Sequence, residues 1–236
     1  MKLKLTVLLI VLMIPSCVYS KNWTTMLDQI RANINDKPVG STDTAKYRVS
    51  DADLLVVAND GQRLINDTVW ALNTSTRIVM ITATTYYDLP TDFITTNRVI
   101  LSMKTILPER TIAQLDSENS YWFTASTGTP SYYYISWNRK QIGFYQVADT
   151  SYIVDIDYFQ QPTDMVSGSD IPFNGVNKFV PYHDLIVWYT CAYQQTVDNK
   201  PNAQMFFTLW SSGVTRMAQQ LNVTPNNIPF IGGRKE

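Results

Sequence analysis

The apolar positions of the chain first follow a helical period, then a strand period, then a helical one again. Trp23, Leu27, Ile30 and Ile34 recur at spacings of four, three and four, which sets them on one helix face with Asn22 as the N-cap. This helix should stop near Asp36, ahead of Pro38, and the polar stretch 37–47 reads as a loop. Ser50-Asp51-Ala52-Asp53 has the form of a capping box, and Leu54, Val57, Ala58, Gly61, Leu64, Ile65 and Val69 continue at helical spacing to about Trp70.

From Thr76 the pattern shortens. Residues 77–81 and 98–101 are β-branched runs bounded by Asp88, Pro90 and Pro108, and stretches 132–137, 142–147 and 152–159 are strands separated by turn-forming residues 138–140 and 148–151. In the last of these, Tyr152, Val154, Ile156 and Tyr158 share one face, and Ile153, Asp155, Asp157 and Phe159 the other. Residues 162–181 read as a loop. Leu185, Trp188, Cys191 and Ala192 then mark a helix, residues 198–200 a turn, and Pro201 a first-turn residue of a final helix carrying Ala203, Phe206, Trp210, Val214, Met217 and Leu221. These two helices should form an antiparallel hairpin.

The order implies an α+β fold: a helical bundle formed by N-terminal helices (21–75) and a C-terminal helical hairpin (176–222), with an antiparallel β-domain (76–175) inserted between them. Residues 223–236 form an extended C-terminal arm. Its Ile228, Phe230 and Ile231 are too apolar to favour free solution, and they lie too close to Pro225, Pro229, Gly232 and Gly233 to continue the helix, so they are candidate docking residues.

Composition narrows the function. The 236 residues are 45% hydrophobic, enough for a full core, and only 17% are charged, while 14 Tyr and 6 Trp point to packed or interface-forming surfaces. With 19 Lys and Arg against 20 Asp and Glu, the chain does not grip nucleic acid through its net charge. One histidine and two cysteines exclude a disulfide scaffold and any multi-His or CxxC metal site.

Residues 1–20 form a signal-like leader, with Lys2 and Lys4 before an apolar run over 5–14 and with Val18 and Ser20 ahead of Lys21. That run is too short to span a bilayer. Cys17 in Ile14-Pro15-Ser16-Cys17 is the candidate acylation site of an alternative reading, an exported lipoprotein or surface-binding module that would be periplasmic or membrane-anchored. Retention of the leader, or a start at Met26, are further possibilities.

Candidate chemistry is sparse. His183, the one possible triad base, stands near the start of a helix, where capping or a surface role fits it. No Gly-rich phosphate loop occurs. Asp155 and Asp157 project from one strand face, as a glycosidase pair or a cation site would require, and equally as a solvated sheet surface would. Tyr132, Tyr133, Tyr134 and Trp137 could stack on a sugar, but alternation sends neighbouring rings to opposite faces. Cys191 reads as a small buried hydrophobe, and the Asn-x-Ser/Thr triplets at Asn22, Asn66, Asn73 and Asn222 add nothing without a eukaryotic secretory context. No catalytic, cofactor-binding or metal-ligating residue is assigned.

Several local sequences resemble one family in consistent order. Tyr47-Arg48-Val49-Ser50 to Leu54-Leu55, followed by Asn59-Asp60-Gly61-Gln62, resembles the Y-x-x-S/D-x-x-L-L…N-x-G-Q opening of head-to-tail adaptor (connector, neck) proteins of tailed bacteriophages, particularly the short-tailed ones. Tyr87-Asp88-Leu89-Pro90-Thr91-Asp92 looks like the family's Y-x-L-P-x-D, and Gly128-Thr129-Pro130 with Tyr132 and Tyr133 like its G-x-P-x-x-Y/F turn. Residues 142–149 resemble I-x-L-x-P-x-P-D, with Gln146 and Ala148 in place of the prolines, and Tyr158 to Pro162 resembles Y-x-x-x-P. The final helices carry Trp188, Ala192, Tyr193 and Trp210, and the likeness covers about residues 22–222.

The resemblance implies a non-enzymatic virion protein at the head-tail junction. Copies would form a homo-oligomeric ring, commonly of twelve, which binds the portal protein and a tail or nozzle protein and lets DNA pass without specific contact. The signal-like leader departs from this pattern, because a protein assembled into virions in the cytoplasm needs no export.

Overall fold

The computed structural model describes residues 20–36, 47–118, 121–122, 127–138 and 140–221. Cys17, Ile228, Phe230 and Ile231 lie outside them. Among the described residues the fold is α+β, with five α-helices and two antiparallel sheets. Helices α1 (Trp23–Ile34) and α2 (Asp51–Val69) precede strands β1 (Asn73–Val79), β2 (Tyr86–Asp88), β3 (Phe93–Leu101) and β4 (Thr105–Leu107). A short α3 (Ile112–Glu118) leads to β5 (Tyr132–Ile135), β6 (Gln141–Tyr145) and β7 (Ile153–Gln160), and α4 (His183–Val197) and α5 (Ala203–Gln220) follow.

The helix starts follow from their caps. Asn22 Oδ1 accepts the Thr25 backbone N–H at 3.0 Å, and Asn35 in the left-handed conformation closes α1. Ser50 Oγ accepts the Asp53 N–H at 3.1 Å, but the return arm of the expected capping box is different. The Asp53 carboxylate takes the Ser50 hydroxyl at 2.6 Å, since aspartate is one methylene shorter than the glutamate that reaches back to a backbone N–H.

One apolar core joins α1, α2, α4 and α5 through Met26 and Ile30, Leu54 and Ile65, Ile186 and Cys191, and Phe206 and Met217. Helix α4 is buried on most of its circumference, so its only outward positions are a few residues such as Tyr193 and Val197. Close approach needs glycine at Gly61 of α2, where a Cβ would lie 2.6 Å from Tyr189 Cδ1 on α4, and at Gly213 of α5, which abuts Leu185. Met165 and Phe173, from the irregular segment after β7, complete this core.

The first sheet has the order β1-β7-β3-β4 and the second β2-β6-β5, all pairs antiparallel. A second apolar core lies between them, built from Val99, Leu101, Val154, Ile156 and Tyr158 with Ile142 and Phe144. The alternation expected for β7 is present: Val154, Ile156 and Tyr158 are buried, and Asp155 and Asp157 lie on the opposite, half-exposed face.

Several elements differ from expectation. Strand β1 opens at Asn73, three residues before the period changes, and the strand expected over 132–137 ends at Ile135, leaving Trp137 in a turn. Strand β6 ends at Tyr145, short of Val147. Strand β4 was not legible because its hairpin turns through Ser102 and Met103, both at positive φ (50° and 59°), without the Asn or Gly that usually signals such a turn. Helix α3 is seven residues long with Leu115 as its one buried position, too short to show a period. The loop expected over 162–181 contains two 3₁₀ turns, Phe173–Gly175 and Asn177–Tyr182.

Candidate functional site

Three side-chain amides on α2 tie the helices to the chain leaving the sheet. Asn59, Gln62 and Asn66 stand three and four residues apart on the buried face, beside Leu54, Ala58 and Ile65. Asn59 Nδ2 donates to Met165 O at 3.0 Å and its Oδ1 accepts Met165 N–H at 2.9 Å. Gln62 donates to Thr163 O at 3.0 Å and accepts Phe173 N–H at 2.6 Å. Asn66 donates to Gln160 O at 3.0 Å and accepts Leu72 N–H at 3.0 Å. A primary amide offers a donor and an acceptor, so each one satisfies two backbone groups, and those of Thr163, Met165 and Phe173 lie outside any strand. Hydrophobic periodicity alone assigned these residues no role, and their even spacing along the apolar stripe was the available signal.

Two of the resembling motifs meet in space. The Tyr158 hydroxyl donates to Asp92 Oδ1 at 3.1 Å, joining the last strand to the turn before β3, and burial pushes the Tyr158 phenol up to about 12.

The residues considered for catalysis are dispersed or occupied. His183, the first residue of α4, is fully buried; its Nδ1 accepts the Lys21 backbone N–H at 3.2 Å, while Nε2 has no partner among the described residues. Desolvation lowers its pKa to about 4, so the imidazole is neutral at pH 7. Both a surface position and side-chain capping are therefore corrected: the ring is a core group that anchors the approach to α1. Lys21 Nζ meanwhile pairs with Asp184 and donates to Gln29 at 3.0 Å.

Asp155 and Asp157 do not act as a pair. Because β7 lies between β1 and β3, Asp155 takes Arg77 from one side at 2.7 Å and Asp157 takes Arg98 from the other at 2.6 Å. Each is a direct cross-strand partner of its arginine, which accounts for both carboxylates without a substrate or a cation. Cys191 is buried, 4.0 Å from Ile30 O, and desolvation pushes its thiol up to about 12, which keeps it protonated and unreactive. Among the described residues no three His, Cys, Asp or Glu side chains converge as a metal site, and no helix is long and apolar enough to cross a membrane.

The tyrosine run is divided as alternation requires. Tyr133 bonds Thr96 and Glu109 at 2.9 and 3.1 Å, Tyr134 packs edge-on against Trp122 at 4.9 Å, and Tyr132 stacks on Tyr145 at 6.2 Å. Desolvation raises both the Tyr133 and Tyr134 phenols above the usual range.

Two clefts remain. The larger, about 490 Å³ and polar, lies between the end of α1 and the α4-α5 turn, and its Arg48 is already held by Asp198 through two bonds of 2.5 and 2.6 Å. That contact lowers the Asp198 pKa. The smaller, about 310 Å³, is lined by Tyr86, Ile112, Trp122, Ser136, Trp137, Asn138 and Gln141, with no charged side chain, and Trp137 is 82% exposed beside it.

A comparison with curated proteins returned no match. The family model described as SU10 adaptor protein matches residues 21–229, a span that takes in both helical regions and both sheets.

Proposed function

Because the chain belongs to the SU10 adaptor protein family, a family of bacteriophage structural proteins and not of enzymes, we propose that it is the ring-forming head-tail adaptor of a tailed phage, of the short-tailed type. Copies assemble at the head-tail junction, where they contact a portal protein above and a tail or nozzle protein below, with no membrane involved. The observation that carries this reading is the length of the family match, which runs from the start of α1 past the end of α5. Twelve copies would enclose the channel through which DNA leaves.

Within each copy, the helices of 21–75 and 176–222 act as one unit and residues 76–175 as a β-unit, joined by the α2 amides. The arm of residues 223–236 lays Ile228, Phe230 and Ile231 against the portal or an adjacent copy. Each buried side chain would contribute about 1.5–3 kcal/mol before ordering costs, and repetition around a ring multiplies the effect. The test is deletion of residues 224–236 followed by measurement of attachment to portal-bearing heads. Loss of attachment by a folded protein is expected; wild-type attachment would reject the arm as a docking element. Acylated Cys17 in the native protein would instead favour the lipoprotein.

A further inference from the structure

The small cleft beside the second sheet is lined by aromatic and neutral polar side chains. Its walls are Tyr86 of β2, Trp122 and the turn residues Trp137 and Asn138, with Ile112 and Gln141 beside them. The walls are braced from behind: Tyr134, fully buried, meets Tyr86 at 5.9 Å and Trp122 at 4.9 Å, both edge-on, and Trp122 Nε1 donates to Asp116 at 2.7 Å. Ring faces held in place in this way lose little side-chain entropy when they are covered. Trp137 at 82% exposed and Tyr86 at 44% nevertheless present much of their surface to water.

Aromatic-lined grooves of neutral character favour extended segments with proline, whose fixed φ lowers the ordering cost. Such a segment lies in the sequence beyond the described residues: Thr224-Pro225-Asn226-Asn227-Ile228-Pro229-Phe230-Ile231. The described chain ends at Leu221, and the 15 residues from 222 to 236 reach up to about 50 Å when extended, far enough to cross to an adjoining copy. We infer that the aromatic cleft of one copy receives Pro229 and Phe230 of a second copy, the proline ring stacking on Trp137 and the phenyl ring covering the exposed part of Tyr86. This rests on the reading of the chain as an assembling adaptor, and it names the receptor of the arm.

Two full-length variants in a Cys17→Ser background test it. One carries Asn138→Cys at the cleft rim, with Gln141→Cys as a second position should the turn not tolerate the first; the other carries Ile231→Cys. The two are mixed with portal-bearing heads under mild oxidation, so that a covalent dimer of one variant with the other reports contact between copies. Thr208→Cys on the exposed side of α5, paired with Ile231→Cys, supplies the rate of chance collision. Dimer formation at least tenfold faster than this control, and falling to it when Trp137→Ala is added to one chain or Phe230→Ala to the other, is the expected result. Copies that associate on the heads while the cleft cysteine reacts no faster than the control would overturn the inference and leave the adaptor reading intact. Failure of the copies to associate at all would overturn that reading, and the inference with it.

Discussion

Asn59 holds both backbone groups of Met165: its amide nitrogen lies 3.0 Å from the carbonyl and its oxygen 2.9 Å from the amide nitrogen. Met165 is itself buried, in a segment without regular structure, so no strand or helix partner could satisfy those groups. The N-x-G-Q stretch therefore has a structural meaning. Asn59 and Gln62 clamp the chain leaving the sheet, and Gly61 between them lets α4 approach.

Replacing Asn59 with Ala leaves a buried N–H and a buried carbonyl unpaired. The expected loss is about 2–4 kcal/mol of unfolding free energy, against less than about 0.5 kcal/mol for Asp67→Ala on the exposed side of the same helix. Urea denaturation of both variants measures the difference, and equal losses would contradict the clamp.

Gly61→Ala sets two effects against each other. Helix propensity favours alanine by about 1 kcal/mol. The added methyl would stand 2.6 Å from Tyr189 Cδ1 and 3.1 Å from Cγ, and overpacking of this kind costs about 1–3 kcal/mol. Net destabilisation is expected, and combining the change with Tyr189→Leu should recover part of it in a double-mutant cycle on thermal unfolding.

The buried His183 makes stability fall in acid. Its pKa is about 4 in the fold against 6.5 for the free group, so between these values the unfolded chain binds the extra proton. The contribution is complete above about pH 6.5 and is lost as pH falls toward about 4, amounting to about 3 kcal/mol at most. His183→Asn retains an acceptor for the Lys21 N–H and removes the titration, so its stability measured between pH 7 and pH 4 should decline less than that of the parent protein.

Duplex DNA should meet a surface on which most arginines are already paired, although Lys104, Lys140, Lys178 and Lys200 are in no ion pair among the described residues. Of the seven arginines among the described residues, Arg31, Arg48, Arg63, Arg77, Arg98 and Arg110 are each in an ion pair, leaving Arg216. If the protein forms the proposed channel, a polyanion slides past more easily for that arrangement, since each phosphate neutralised adds affinity. Titration of labelled duplex at physiological salt is expected to give no binding in the nanomolar range; tight binding would contradict a passive channel.

Local pattern determined a good deal on its own. The faces of α1, α2 and α5, the caps at Asn22 and Ser50, and the inward Val154, Ile156 and Tyr158 of β7 all follow from residues a few positions apart, because side-chain direction repeats with the backbone period. The ordered motifs carried the family likeness. What only the tertiary structure decided were pairings between residues far apart in the chain. The insertion of β7 between β1 and β3 splits Asp155 from Asp157 by giving each its own arginine, and no spacing within β7 can report which strands flank it. His183 and Asn59 look like surface groups in a polar-apolar reading. Lys21 and Met165, distant in sequence, bring backbone groups that pair with the buried Nδ1 of His183 and with both ends of the buried Asn59 amide, which lowers the cost of desolvating them.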